Sequence, residues 1–223
     1  MFETLLQIFF PITCLLCKNS ERNYLCDHCD RKLPRREQAC LICQRKSAIG
    51  TTCFTCINAT IPDGFYAPYT YRSGLKTIIN RAKRSDSERV FENLGSRLAA
   101  SLPEMNLTDY VLTAIPLHKS KYRARGFNQS EVLANQISLR TNLRYERLLS
   151  RTKKTQEQKK LSLKARNENL KDAFKVTKSN LNGLKILLID DIVTTGASTL
   201  SATRVLKAAG AKKVIILALA SDR

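Results

Sequence analysis

No stretch of this chain approaches the roughly 18 consecutive apolar residues that a membrane-spanning helix requires. Its first ten residues, MFETLLQIFF, lack the basic start and the small-residue cleavage site of a secretory signal. The expectation is therefore a cytoplasmic protein without a membrane span, in which disulfides, a feature of oxidising compartments, have no place. Acidic side chains are scarce, 19 against 38 Lys and Arg, so the formal net charge is +19 over 223 residues. Histidine is nearly missing, with only His28 and His118, and no cysteine lies beyond residue 56. No base-reading motif and no acceptor-specific residue stands out.

What is present is concentrated. All eight cysteines fall into four pairs, Cys14 and Cys17, Cys26 and Cys29, Cys40 and Cys43, Cys53 and Cys56, each pair separated by two residues. Such a knuckle points two thiolates at one tetrahedral Zn²⁺, and two knuckles close a site with no open position. The short gaps pair neighbours: Cys14, Cys17, Cys26 and Cys29 on one ion, Cys40, Cys43, Cys53 and Cys56 on another. Two consecutive zinc ribbons with two structural Zn²⁺ ions are expected, an iron–sulfur cluster being the alternative. His28, between Cys26 and Cys29, is read as a solvated turn residue rather than a ligand. A closed Cys₄ site is structural, and a module of this size depends on its metal to fold.

The second concentration is residues 186–198, ILLIDDIVTTGAS. Residues 186–189 carry no polar side chain, as in a strand covered on both faces of a parallel sheet. Asp190 and Asp191 follow at its carboxyl end, where ligands of open α/β sheets collect. The small residues Thr194, Thr195, Gly196, Ala197 and Ser198 let backbone N–H groups converge on an anion. A helix over 197–209, stopped by Gly210, places its N-terminus at the same loop. Paired carboxylates beside an anion site make sense when the ligand also brings hydroxyls or Mg²⁺. A phosphorylated ribose meets both requirements. A capped helix after a buried strand with surface acids is the plainer alternative.

At 223 residues the chain has room for an ordinary domain plus the metal module. The boundary is expected near Ile61, Pro62, Asp63 and Gly64, giving a double zinc ribbon over 1–60 and an α/β domain over 61–223. Strands are predicted at 65–71, 109–116 and 213–220, and helices at 75–84, 90–102 and 129–139. That alternation implies a mostly parallel sheet flanked by helices. After the strand ending at Ile115, Pro116, Leu117, His118, Lys119, Arg123 and Arg125 form a basic turn that should emerge beside the Asp190 strand. His118 is either an anion ligand there or a loop histidine bonding locally, and Asn128 reads as a helix cap.

Loading both ribbons leaves a net charge of about +15, since each Zn²⁺ binds four thiolates. That excess predicts attraction to polyanions. Thirteen Lys or Arg lie between residues 140 and 178, with further groups at Arg31, Lys32, Arg35, Arg36, Arg81, Lys83, Arg84 and Lys121. Tyr122, Phe127 and Tyr145 are interleaved, as in grooves on which single strands stack. Plain solvated surface is the competing reading of the charge.

Residues 186–198 resemble the 5-phosphoribosyl 1-pyrophosphate (PRPP) motif of type I phosphoribosyltransferases. That resemblance implies Asp190 and Asp191 as catalytic residues on the ribose hydroxyls, with Thr194 to Thr199 around the 5-phosphate and Mg²⁺ bound with PRPP. The turn after Ile115 resembles the pyrophosphate loop of those enzymes. Residues 152–174 correspond to their lid, with Gln158 and Arg166 as candidates. Zinc knuckles, then Ile115 to His118 (IPLH), then Arg125 to Gln129 (RGFNQ), then Gln158, Leu161, Arg166, Asn169 and Phe174, then the PRPP motif, are similar to the ComF (ComFC) competence family in order and spacing. The departure is Ser198, where Thr is common, and it keeps a hydroxyl. This resemblance implies a cytoplasmic factor of natural transformation that handles incoming single-stranded DNA and meets a ComFA-type translocase ATPase. Two alternatives stay open, a nucleobase phosphoribosyltransferase of salvage and a PRPP-sensing nucleic-acid-binding regulator.

Overall fold

Burial with a period of two along three adjacent strands divides the apolar residues into two layers. The computed structural model describes residues 12–21, 23–47, 50–84, 87–102, 107–152, 173–178 and 180–223. In chain order the elements are α1 (Asp27–Lys32), β1 (Gly64–Tyr66), β2 (Tyr69–Thr70), α2 (Ser73–Ala82), α3 (Glu88–Ala100), β3 (Tyr110–Ala114), α4 (Lys119–Arg125), α5 (Gln129–Thr141), β4 (Leu149–Arg151), β5 (Phe174–Val176), β6 (Lys185–Val193), α6 (Ala197–Ala208) and β7 (Lys213–Ser221). The main sheet runs β1-β7-β6-β3, with β2 also on β7, and every pairing in it is parallel. β4 and β5 form a separate antiparallel pair.

Along β6, Leu187 and Ile189 face one layer while Ile186 and Leu188 face the other. β7 splits the same way, Ile215, Leu217 and Leu219 against Val214, Ile216 and Ala218. Side chains alternate across a pleated strand, so a run with no polar residue is what a sheet covered on both faces demands. The first layer holds Leu75, Phe91, Leu94 and Leu133 from α2, α3 and α5, and the second holds Ala202 and Leu206 from α6 and Phe174 from β5.

The cysteine-rich segment is built into both layers. Cys14, Leu25, Cys26, Cys29 and Leu33 belong to the first, and Leu41 to the second. Bridges join Arg35 to Tyr69 and Thr51 to Gly64 across the turn where two units were expected to meet. Asp30 ties α1 down further, accepting a hydrogen bond from the Tyr69 hydroxyl at 2.6 Å and pairing with Arg35 at 2.9 Å.

Four expectations change. β6 does not stop at Ile189: it continues through both acids to Val193, because β7 keeps pairing with it as far as Ser221. The basic turn after Ile115 contains the short helix α4, which buries no side chain and so leaves no apolar period to read. Of the three aromatics expected along a groove, Phe127 is buried with its ring 5.8 Å from that of Phe91. Tyr145 packs half-buried on the first layer with its hydroxyl inside, leaving Tyr122 exposed. The fourth is the β4–β5 pair, unforeseen because its three-residue strands lie far apart in sequence. The candidate lid residues Gln158 and Arg166 lie outside the described residues.

Candidate functional site

The site is assembled where β3 ends against β6, which runs on through its two acids. Ala114 pairs with Ile189, and the Ile115 N–H donates to the Ile189 carbonyl at 2.9 Å, so the basic turn leaves the sheet beside the acidic pair. Asn128 fixes the next helix there. Its amide donates to the Ile115 carbonyl at 3.0 Å and its oxygen accepts from the Ser130 N–H at 3.2 Å, which caps α5 against the end of β3. The first turn of α5 thereby brings the Ser130 hydroxyl to Asp190, where it donates to Oδ1 at 3.1 Å.

Asp190 Oδ1 also accepts from the Asp191 N–H at 2.9 Å. Asp191 forms an ion pair with Lys83, just beyond the end of α2. Burial, and then the neighbouring Asp191 charge, push the Asp190 carboxyl up to about 7. The Asp191 N–H, the Ser130 hydroxyl and the Lys83 charge act against that rise without cancelling it. Arg151, at the end of β4, is buried enough that its guanidinium is held below the usual range, with the Asp190 charge opposing the shift. A carboxylate kept this uneasy gains from hydroxyl donors or a hard cation, which favour its charged form. The donor set therefore fits Mg²⁺ or sugar hydroxyls, to be held by Asp190 and Asp191.

The loop after β6 is shaped by Gly196, in the left-handed region at φ +76°, which serves as N-cap of α6 without a capping side chain. A side chain placed there would sit 3.6 Å from Leu41 and from the Arg223 guanidinium, ordinary contact distances, so the backbone angle and not space calls for glycine. Thr195 accepts from the Ala197 N–H at 3.4 Å, and its carbonyl takes the Arg223 guanidinium at 2.9 Å. Thr199 is buried with its hydroxyl on the Gly196 carbonyl at 2.9 Å, while Thr194 is exposed and Ser198 partly so. An uncapped helix N-terminus behind a small-residue turn favours an anion.

The turn residues after Ile115 do not act as one set. Pro116, Leu117, Lys119 and Arg123 line a cavity of about 350 Å³ with Tyr122, Asn128, Glu131 and Arg147. His118 instead caps α4, its Nδ1 accepting from the Ser120 N–H at 3.2 Å. Arg125 is turned to Gln129, donating to Oε1 at 3.1 Å. Ser130 and Arg151 escaped sequence reasoning, Ser130 because only the Asn128 cap aims it, Arg151 because it reaches Asp190 through a non-local hairpin. In the sequence Lys83 shows only as part of the basic surface, because its partner Asp191 is distant along the chain.

Each cysteine quartet is gathered with its four sulfurs within 4.8 Å of one another, in the neighbour pairing expected. Cys17 and Cys26 sulfurs lie 3.8 Å apart and those of Cys43 and Cys53 3.4 Å. Tetrahedral Zn–S bonds of about 2.3 Å put sulfurs about 3.8 Å apart, so both quartets fit Zn²⁺. The knuckles share one local design: Lys18 N–H donates to Cys14 O and Gln44 N–H to Cys40 O, both at 3.0 Å, with Lys18 and Gln44 at positive φ. Among the sulfurs, burial pushes Cys29 up to about 12 and the Cys53 contact pushes Cys56 up to about 12. Burial also raises Cys14, but backbone N–H groups of Cys26, Cys17 and Leu16 prevail and bring it to about 6. Four crowded thiols cannot all ionise alone; a dication resolves that conflict.

A parallel sheet with acids and an anion loop at its carboxyl edge, behind two Cys₄ ribbons, defines a phosphoribosyltransferase-type domain joined to a double zinc ribbon. The phosphoribosyl transferase domain family matches residues 124–223 and the double zinc ribbon domain family residues 5–57. Competence protein ComFC of Streptococcus pneumoniae is 31% identical over 206 residues, covering 90% of this chain and 89% of that protein. Competence protein F of Haemophilus influenzae is 24% identical over 224 residues, 95% of this chain and 98% of its own. DNA utilization protein YhgH of Escherichia coli K12 is 28% identical over 156 residues, 67% and 68% respectively. The chain belongs to the ComF/ComFC family of competence proteins. No helix among the described residues is long and apolar enough to cross a membrane.

Proposed function

We propose that this chain binds PRPP, or a closely similar sugar phosphate, together with Mg²⁺ and handles incoming single-stranded DNA in the cytoplasm during natural transformation. The observation that carries the sugar-phosphate half is the joint placement, at one sheet edge, of the Ser130–Asp190–Asp191–Lys83 cluster and the loop that opens α6. Asp190 and Asp191 take the ribose hydroxyls or the metal, and the N–H groups of 194–199 take the 5-phosphate. Lys119 and Arg123, in the adjoining cavity, offer charge to a pyrophosphate. The DNA half is supported by the net charge of +19 and by relatives named for competence and DNA utilization. A ComFA-type translocase is the partner such a role calls for.

The test is the double variant Asp190→Ala with Asp191→Ala. It should keep its zinc and its fold, lose all heat of PRPP binding, and still bind oligo(dT) with an affinity that falls steeply with salt. Normal PRPP heat in that variant removes the sugar-phosphate assignment. Oligo(dT) affinity indifferent to salt removes the DNA one.

A further inference from the structure

α4 buries no side chain and is fixed by its two ends. His118 Nδ1 accepts from the Ser120 N–H at the start, and at the finish Gly126, at φ +73°, donates its N–H to the Tyr122 carbonyl at 2.8 Å. Lys119, Tyr122 and Arg123, three and four residues apart, share one face of the helix and line the cavity of about 350 Å³. That cavity adjoins Asp190 by way of Asn128, which caps α5, and Ser130, which donates to Asp190. Like charges four residues apart weaken a helix, yet neither Lys119 nor Arg123 is paired with an acid among the described residues. The one carboxylate lining the cavity, Glu131, is already held by Arg147 at 3.1 and 3.2 Å.

The groups left over are mixed in kind. Tyr122 is 46% exposed and makes no ring or cation contact among the described residues. Pro116 and Leu117, both half-buried, add an apolar wall. A pyrophosphate has no apolar surface, so it accounts for the two cations and not for the ring, the proline or the leucine. A nucleotide uses all of them. Aromatic faces stack any base, and cations beside them hold the phosphate backbone.

We propose that the α4 cavity seats a nucleotide of a single DNA strand, its base on Tyr122 and its phosphate on Lys119 and Arg123, so that the strand and the pyrophosphate end of PRPP exclude one another there. This rests on the DNA-handling and PRPP readings above. The occupant is a strand rather than a free nucleotide because α4 also carries Lys121 and Arg125. Four cations and no acid along a helix about 10 Å long match successive phosphates, and the field of the whole chain draws polyanions. A chain loaded with DNA thereby gives up affinity for the sugar phosphate.

The experiment uses the full zinc-loaded chain and two probes in fluorescence anisotropy, a labelled oligo(dT) and an abasic strand of the same length. Tyr122→Ala should weaken oligo(dT) binding about five-fold or more, the share of one stacked base, and leave the abasic strand unchanged, because the ring carries no charge. In calorimetry Tyr122→Ala should bind PRPP with Mg²⁺ as the wild type does. For the wild type, the apparent Kd of PRPP should rise in proportion to added oligo(dT). Unchanged oligo(dT) affinity in the variant, or an equal loss for both strands, removes the base from this cavity. A PRPP Kd indifferent to saturating oligo(dT) overturns the shared occupancy while both parent readings stand. Displacement of oligo(dT) by dTMP at equal nucleotide concentration gives the cavity to a free nucleotide, and the assignment to a strand falls. A wild-type chain that binds no oligo(dT), or gives no PRPP heat, overturns the corresponding parent reading and the proposal with it.

Discussion

Asp190→Asn should make the protein more stable at alkaline pH and leave it nearly unchanged at acid pH. The Asp190 carboxyl is pushed from its ordinary 3.8 to about 7 by burial and by Asp191. A carboxyl whose folded pKa is raised holds its proton more tightly in the native state. Its stabilising effect is therefore complete below about pH 4 and is lost as the pH rises through about 7. The full gap corresponds to at most about 4 kcal/mol, at about 1.36 kcal/mol for each pH unit. Asn keeps the oxygen that accepts from Ser130 and from the Asp191 N–H, and removes the charge. In a chain of this length each kcal/mol moves the melting temperature by about 2–4 °C. Thermal unfolding at pH 8.5 should show a rise of several degrees, with a difference near zero at about pH 3.5, below the ordinary carboxyl value. PRPP binding should be lost in the same variant, since a site tuned for a ligand gives up stability for it. A variant that melts at or below wild type at pH 8.5, or gains equally at both pH values, refutes the reasoning.

Three further outcomes follow from the geometry. Cys14→Ser should release one equivalent of zinc and Cys53→Ser the other, each measurable by elemental analysis, and release of both ions by a single change would contradict the neighbour pairing. Leu41→Ala empties a fully buried position between two metal ligands that packs on the second apolar layer, so a loss of about 2–5 kcal/mol is expected in denaturant unfolding of the whole chain; an unaltered main transition would show the ribbon to be independent. Gly196→Ala meets no close atom but must adopt φ +76°, costing about 1–2 kcal/mol and weakening PRPP, with unchanged stability counting against the loop geometry.

Much of the scaffold was legible because its signals are local. The apolar run 186–189, the helix stop at Gly210 and the Asn128 cap each reflect chemistry within a few residues, and the sheet follows from their alternation. The cysteine spacing carried the quartets in the same way. What could not be read depends on distant partners. β6 runs past its acids because β7 pairs with it, Phe127 is buried because Phe91 comes from α3, and Ser130 meets Asp190 only because β3 and β6 are adjacent. The burial of Arg36 likewise needs the last residue, Arg223, and the ring of Phe65. α4, with polar side chains and no buried face, offers no period to detect.

The central claim is that the edge of β6 is a working sugar-phosphate pocket in a DNA-handling protein. Calorimetric titration of the zinc-loaded chain with PRPP and Mg²⁺, repeated in the presence of oligo(dT), tests it most directly. The account predicts saturable binding of one PRPP per chain in both titrations. A folded, zinc-loaded protein that gives no heat with PRPP under either condition would contradict it.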